Sequence, residues 1–227
     1  MKPKNIKLII MILLFVMTLS VTAQQTHTLE QFDEIKVVDR INVELIKSSD
    51  NKAVISGADA NDVKIENKSG KLKVYMELTD FLEGKDTQVD IYYTDELELV
   101  EAKQGANITA DNAIKTKYLV INSQQGSEVK LEVDAENVEA KAVSGGNITI
   151  DGNASELEVT VRSGGDYYGK ELESENTDVS VFAGGGAEVY AVDYVDASVT
   201  AGGTIKIYGN PDRIERDETF GGTISQM

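Results

Sequence analysis

Residues 126–165 read GSEVKLEVDAENVEAKAVSGGNITIDGNASELEVTVRSGG. Two near-copies of one plan lie in this stretch: a small-residue corner, an alternating apolar run, a short polar stretch, a second alternating run and the next corner. The corner recurs on both sides as Gly105-Ala106, Gly126-Ser127, Gly145-Gly146, Gly164-Gly165, Gly184-Gly185, Gly202-Gly203 and Gly221-Gly222. The second residues of these pairs stand 21, 19, 19, 20, 18 and 19 positions apart. A glycine corner with a period of about 19 to 20 residues is the mark of stacked coils.

Aligning the coils on that second small residue shows what is buried. Two positions later stand Ile108, Val129, Ile148, Tyr167, Ala187, Ile205 and Ile224; four later stand Ala110, Leu131, Ile150, Gly169, Val189 and Ile207. Six positions earlier come Val100, Ile121, Ala140, Val159, Val179 and Ala197; four earlier come Ala102, Ser123, Ala142, Val161, Val181 and Val199. Alternation of period two on both sides of the corner predicts two strands, each with one buried face. Because the same column is apolar in coil after coil, the strands must pair in register with their equivalents one turn away. The expected fold is therefore all-β, a single parallel β-solenoid (β-helix) with Gly-Gly corners, right-handed by the crossover rule.

Short polar turns are expected at Asp134-Ala135-Glu136-Asn137, at residues 152–156 and at Gly209-Asn210-Pro211-Asp212. The corner glycines supply φ > 0 or close backbone approach. A phosphate-binding loop would need a helix directly after it, and strands follow here instead. The Asn-Ile-Thr triplets at Asn107 and Asn147 fall where a strand starts after its corner.

The first 23 residues have a different character: Lys2, Lys4 and Lys7 precede an apolar run from Leu8 to Leu19, then Val21-Thr22-Ala23 offers small residues at cleavage spacing. A secretory signal peptide over 1–23 is expected, followed by a flexible mature N-terminus at 24–30 and the solenoid domain at 31–227. Export places the chain in the periplasm, at the outer cell surface or outside the cell. No later stretch has spanning length, so no membrane span is expected in the mature protein. The chain has no cysteine, hence neither a lipid-bearing thiol nor a disulfide.

A formal net charge of −17, more negative still once the three leader lysines are removed, argues against nucleic acid, which needs clustered Lys and Arg. Anionic lipid surfaces are disfavoured for the same reason.

Residues 31–100 continue the β pattern less regularly. Ile35, Val37, Ile41, Val43 and Leu45 lead to a turn at residues 48–51; Val54, Val63, Ile65, Leu72, Val74, Met76, Val89 and Ile91 follow, with turns at Ser69-Gly70 and residues 83–86. They are expected to be irregular opening rungs of the same domain, since a terminal repeat that shields the core is atypical, with a separate small β domain as the alternative; residues 101–227 carry the regular coils.

Phe32-Asp33-Glu34-Ile35-Lys36-Val37, then Asp39-Arg40-Ile41-Asn42-Val43, then the repeating Gly-Gly coils together resemble the head GIN domain family of autotransporter-type adhesins. The Gly-Ile-Asn element stands here as Arg40-Ile41-Asn42, so a glycine is replaced. What the resemblance implies is a secreted, cell-envelope β-helix with an adhesive role and no established catalytic site.

Enzyme chemistry finds few parts. The one histidine, His27, lies in the N-terminal segment, and without cysteine neither His-assisted nor thiol nucleophiles can be assembled; zinc sites built from His and Cys are excluded too. A carboxylate-pair glycosidase is the remaining catalytic alternative, but short turns give little material for a walled cleft.

Seven positions before the corner residue stand Glu139, Glu158, Asp178, Asp196 and Glu215. Stacked in register they would lie about 5 Å apart, a like-charge row open to two readings: hard-oxygen ligands for calcium, or a solvated edge that keeps a β protein soluble. Tyr168, Tyr190, Tyr194 and Tyr208 gather in the C-terminal half, as a stacking platform for a sugar or protein or as ordinary cross-rung packing. The reading is a non-enzymatic, adhesin-like interaction module that meets a glycan or protein at the cell surface; the alternatives are a carbohydrate-active enzyme and a purely structural envelope protein.

Overall fold

The computed structural model describes residues 24–77 and 87–227; the expected leader at 1–23 and the turn at 83–86 lie outside them. There is no helix among the described residues, and strand makes up 73 % of them. About seven turns of about 19 residues stack as a parallel β-solenoid.

The regular part is built from β8 (Leu99–Lys103), β9 (Asn107–Ala110), β10 (Ile114–Gln124), β11 (Glu128–Val143), β12 (Asn147–Arg162), β13 (Asp166–Phe182), β14 (Gly186–Thr200), β15 (Thr204–Gly209), β16 (Arg213–Thr219) and β17 (Thr223–Gln226). Register follows the sequence alignment column by column: Val129 pairs with Ile148, Leu131 with Ile150, Ala140 with Val159 and Ala142 with Val161. Each turn presents one run before its corner and one after it. Their inward residues form one continuous apolar core from Leu29 to Ile224. Tyr167 is a large side chain in a column otherwise held by aliphatics. It fits because Ala187 stands above it and because Gly169 has no Cβ, which would lie 2.4 Å from its Oη.

Two of the three expected polar turns are not breaks. Residues 134–137 lie inside β11 and residues 152–156 inside β12, each strand being 16 residues long. The ladder runs through the bend because the coils bend at the same place, so pairing one turn away resumes on both sides of it, with local register shifts at residues 149–151 and 169–176. A column of small residues, Ala135, Ala154, Ser174 and Ala191, occupies the inside of the bend. Ser174 is buried, and its hydroxyl meets Thr177 Oγ1 at 2.6 Å and donates to the Tyr190 carbonyl at 2.7 Å. Of the three, only the last interrupts a strand, at residues 210–212 between β15 and β16, where Pro211 offers no N–H to a ladder.

The tight corners are two consecutive left-handed residues. Ser144 (φ 52°) and Gly145 (φ 74°) are typical, and the Gly146 N–H closes the turn on the Val143 carbonyl at 3.1 Å. This is the type I′ geometry, with φ > 0 at both central positions. The first of the two is never glycine: Gln104, Gln125, Ser144, Ser163, Ala183, Ala201 and Phe220 all take φ between 51° and 60°. The two glycines of a pair thus serve different ends. A Cβ on Gly145 would meet nothing within 4 Å, whereas one on Gly146 would lie 2.1 Å from the Ser123 carbonyl oxygen of the preceding coil. Ser127 has room at the equivalent corner and donates its hydroxyl to Ala102 O at 2.8 Å.

The N-terminal third differs from a run of coils. It contributes β1 (Gln25–Thr28), β2 (Phe32–Val37), β3 (Asn42–Lys47), β4 (Lys52–Gly57), β5 (Val63–Lys68), β6 (Gly70–Met76) and β7 (Thr87–Tyr93). β2 and β3 make one true rung, on which the β8–β9 rung stacks directly (Ile35 with Val100, Val43 with Ile108). The intervening chain travels outward to close the end: β6 and β7 pair in parallel with the far side of that rung, while β5 and β4 pair antiparallel with them. In place of a free tail at 24–30, β1 pairs antiparallel with β4, and Leu29 folds inward. The exposed edge of β4 offers unpaired backbone groups, and pairing them orders the segment. At the first corner, Asp39 (φ 65°) and Arg40 (φ 59°) hold the same left-handed pair. The backbone shape therefore survives the loss of glycine at Arg40, whose Cγ packs under Gly105.

At the other end β16 keeps full register on β14, which places Arg216 in the Ala197 column and Glu218 in the Val199 column. Both are exposed because no further turn covers them, and no ion pair joins them; Glu218 Oε1 instead accepts the Ile224 N–H at 2.8 Å. Inward-pointing charge on a terminal strand refuses another strand.

Two outcomes follow. Gly145→Ala, which puts a Cβ on a left-handed residue, should cost about 1 kcal/mol, and Gly146→Ala about 3 kcal/mol, as measured by denaturant unfolding; equal losses would refute the close-approach account. Replacing Arg216 and Glu218 together by Val should leave the fold intact yet produce concentration-dependent association in sedimentation; a double variant that stays as dispersed as its parent would show that these charges do not guard the end.

Candidate binding face

The runs before each corner form one outward surface, and the ladder sets its pattern. Glu139, Glu158, Asp178, Asp196 and Glu215 are in register, following Val120. Two residues earlier on every strand, and so on the same face, runs a second column: Tyr118, Asn137, Glu156, Asn176, Tyr194 and Arg213. The two columns line a shallow groove of ≈ 380 Å³, with Tyr118 and Tyr194 at its ends. The minus-nine spacing of this second column is present in the sequence, but the stretch holding it reads as a turn, which hid Tyr118 and the two asparagines.

Local contacts divide the acidic row. Tyr118 donates its hydroxyl to Glu139 Oε2 at 2.8 Å, and Lys141 pairs with the same carboxylate; Lys141 and Tyr118 together hold Glu139 below the usual range. At the far end Arg213 pairs with Glu215 and lies 5.4 Å over the Tyr194 ring. Asn176 Nδ2 donates to Glu156 Oε1 at 2.8 Å. Among the described residues Glu158, Asp178 and Asp196 have no cationic partner. Burial, and then the neighbouring Asp196, push the Asp178 carboxyl above its ordinary 3.8.

Among the described residues no group of three or more carboxylates is placed to hold a metal ion. Neighbours in a parallel ladder are held about 5 Å apart and point the same way, so their oxygens form a row and do not converge on one centre. The tyrosines are divided as well. Tyr190 and Tyr208 are side by side on the outer face of the runs after the corner. Tyr168 shares that face, beside the Glu188–Lys206 ion pair of 2.9 Å. Tyr194 lies past the bend of β14, on the other sheet with Tyr118.

The unpaired middle of the acidic row carries a pH signature. A carboxyl whose folded value is raised binds its proton more tightly in the folded state, so it weakens stability as pH rises from the unfolded toward the folded value. Asp178→Asn is expected to raise Tm at neutral pH and to leave it unchanged below about pH 3.8; an equal rise at both pH values would show that repulsion is not the cause.

The family described as "Putative auto-transporter adhesin, head GIN domain" matches residues 31–211. No curated protein matches the sequence. Solved structures that share the fold include the following three. A "putative adhesin" of Bacteroides fragilis is 18 % identical with a TM-score of 0.84, covering 92 % of this chain and 98 % of that one. A "putative lipid binding protein" of Parabacteroides distasonis is 16 % identical with a TM-score of 0.70, covering 92 % and 98 %. A "putative adhesin" of Parabacteroides merdae is 16 % identical with a TM-score of 0.70, covering 92 % and 97 %. Stacked coils, the Arg40-Ile41-Asn42 corner and a match over most of its length make this chain a member of the head GIN domain family.

Proposed function

We propose that the protein is an exported, non-enzymatic binding module of the cell envelope that holds an extended glycan strand along the groove between Tyr118 and Tyr194. The observation that carries this reading is the pairing of that groove with the unneutralised carboxylates Glu158, Asp178 and Asp196. Carboxylates and carboxamides at strand spacing accept and donate hydrogen bonds to successive hydroxyls, and a tyrosine at each end offers an apolar ring for a sugar face. The two rings lie four rungs apart, about 19 Å at strand spacing, a length suited to an oligosaccharide. The groove is shallow and unwalled, which favours binding a polymer along its length over enclosing a reacting bond. The adhesin names of the family and its structural neighbours support the same class of function, as does the leader expected at 1–23.

An array of microbial and host glycans, probed with and without calcium, tests the reading. Tyr118→Ala with Tyr194→Ala should lower retention at least tenfold with little loss of stability, since Tyr118 is 46 % exposed, while Tyr190→Ala with Tyr208→Ala should retain binding. Shortening of a bound polysaccharide would favour the carbohydrate-active alternative, and failure of every glycan would sink the proposal.

A further inference from the structure

The outer surface that is acidic toward the C-terminal end is rich in lysine at the other. Lys36 on β2, Lys64 on β5, Lys73 on β6 and Lys103 on β8 surround an open cavity of ≈ 980 Å³, floored in part by Tyr75 and Met76. These four come from strands far apart in sequence, and the cap topology brings them together: β6 and β8 flank β2, and β5 pairs on the outside of β6.

The local charges do not cancel. Lys36 and Lys103 share one carboxylate, reaching Oε2 and Oε1 of Glu101 at 3.0 and 2.8 Å. Lys64 is matched by Glu77 at 2.7 Å. Lys73 has no carboxylate within ion-pair distance among the described residues and lies 4.2 Å over the Tyr75 ring. Glu66 stands opposite Lys73 in the ladder yet takes the Tyr75 hydroxyl at 2.7 Å, and Asp39 Oδ2 is engaged by the Met76 N–H at 3.2 Å. Four ammonium groups thus stand against the carboxylates of Asp39, Glu77 and the shared Glu101, a local surplus of one positive charge in a chain whose net charge is −17.

We infer that this cavity is an anion site, binding a carboxylate, phosphate or sulfate group carried on a sugar, with Lys73, Lys36 and Lys103 as the cationic partners and Tyr75 as the wall for the sugar body. Ammonium groups that share or lack a counter-charge gain a charge-assisted hydrogen bond from such a ligand. A lipid is disfavoured as the source of the anion: the solenoid interior is packed with its own apolar side chains, and the strongly negative net charge of the chain as a whole opposes an anionic bilayer. This site is separate from the Tyr118–Tyr194 groove and does not rest on that reading.

Calorimetric titration of the full chain with oligogalacturonate and with inorganic phosphate tests it. One or both should bind, weaken as salt is raised, and have no counterpart in titration with an uncharged galactose oligomer. Lys73→Gln with Lys103→Gln should weaken binding at least tenfold, whereas Tyr118→Ala with Tyr194→Ala should leave it unchanged. Glu101→Gln, which releases two ammonium groups from an internal competitor, should strengthen it severalfold. Lys73→Gln alone disturbs no ion pair, so a several-fold loss in that variant supports the site even if the double variant folds poorly. No heat with either anion, undiminished binding in the lysine variants, or binding confined to phosphatidylglycerol vesicles would overturn the inference.

Discussion

The strands of the regular part of this protein pair in parallel with their equivalents one turn away, and that single constraint governs what each position can be. A parallel ladder in register stacks like on like. An inward column must be apolar in every coil, because one polar member would be buried without a partner. Ser123 shows the exception allowed: buried in the column of Ala102 and Ala142, it is tolerated because Ser127 supplies the hydroxyl and carbonyl it needs. The Tyr167 coil shows the second allowance: its ring is fitted by small neighbours above and beside it, while its hydroxyl is buried without a hydrogen-bond partner among the described residues.

The same repetition makes the corners severe. A backbone that reverses in the space of two residues needs two left-handed conformations, and the next coil lies directly against the turn. Glycine at the first site of each pair relieves conformation; glycine at the second, as at Gly146, relieves contact with the coil below. Arg40 demonstrates that the conformational demand can be met by another residue where its side chain finds a surface to lie on. The contact demand admits Ala106 and Ser127 in the early coils and only glycine from Gly146 onward.

Stacking like on like also concentrates charge. A carboxylate repeated at strand spacing repels its neighbours, and the row from Glu139 to Glu215 is neutralised only at its ends, by Lys141 and Arg213. The same outward sheet becomes lysine-rich where the cap strands β5 and β6 join it. One surface therefore offers an acidic, tyrosine-bounded groove and a basic cavity, two chemistries suited to different parts of a polymer at the cell surface.

The period, the in-register columns, the inward faces and the acidic row were all readable in the sequence, because a parallel ladder pairs residues at one constant separation and the chain displays that separation directly. The bends inside β11 and β12 were not, since polar residues such as Glu136 and Asn137 signal a turn whether the strand stops or merely curves. Nor could the linear chain tell the antiparallel cap from opening coils: period-two alternation is the same in both, and only pairing partners distinguish them. The meeting of Lys36, Lys64, Lys73 and Lys103, and the separation of Tyr194 from Tyr190 and Tyr208, were decided by tertiary structure alone. Cap strands pair out of sequence order, and a bend in β14 carries the chain from one sheet to the other, so neither outcome follows from the spacing of residues along the chain.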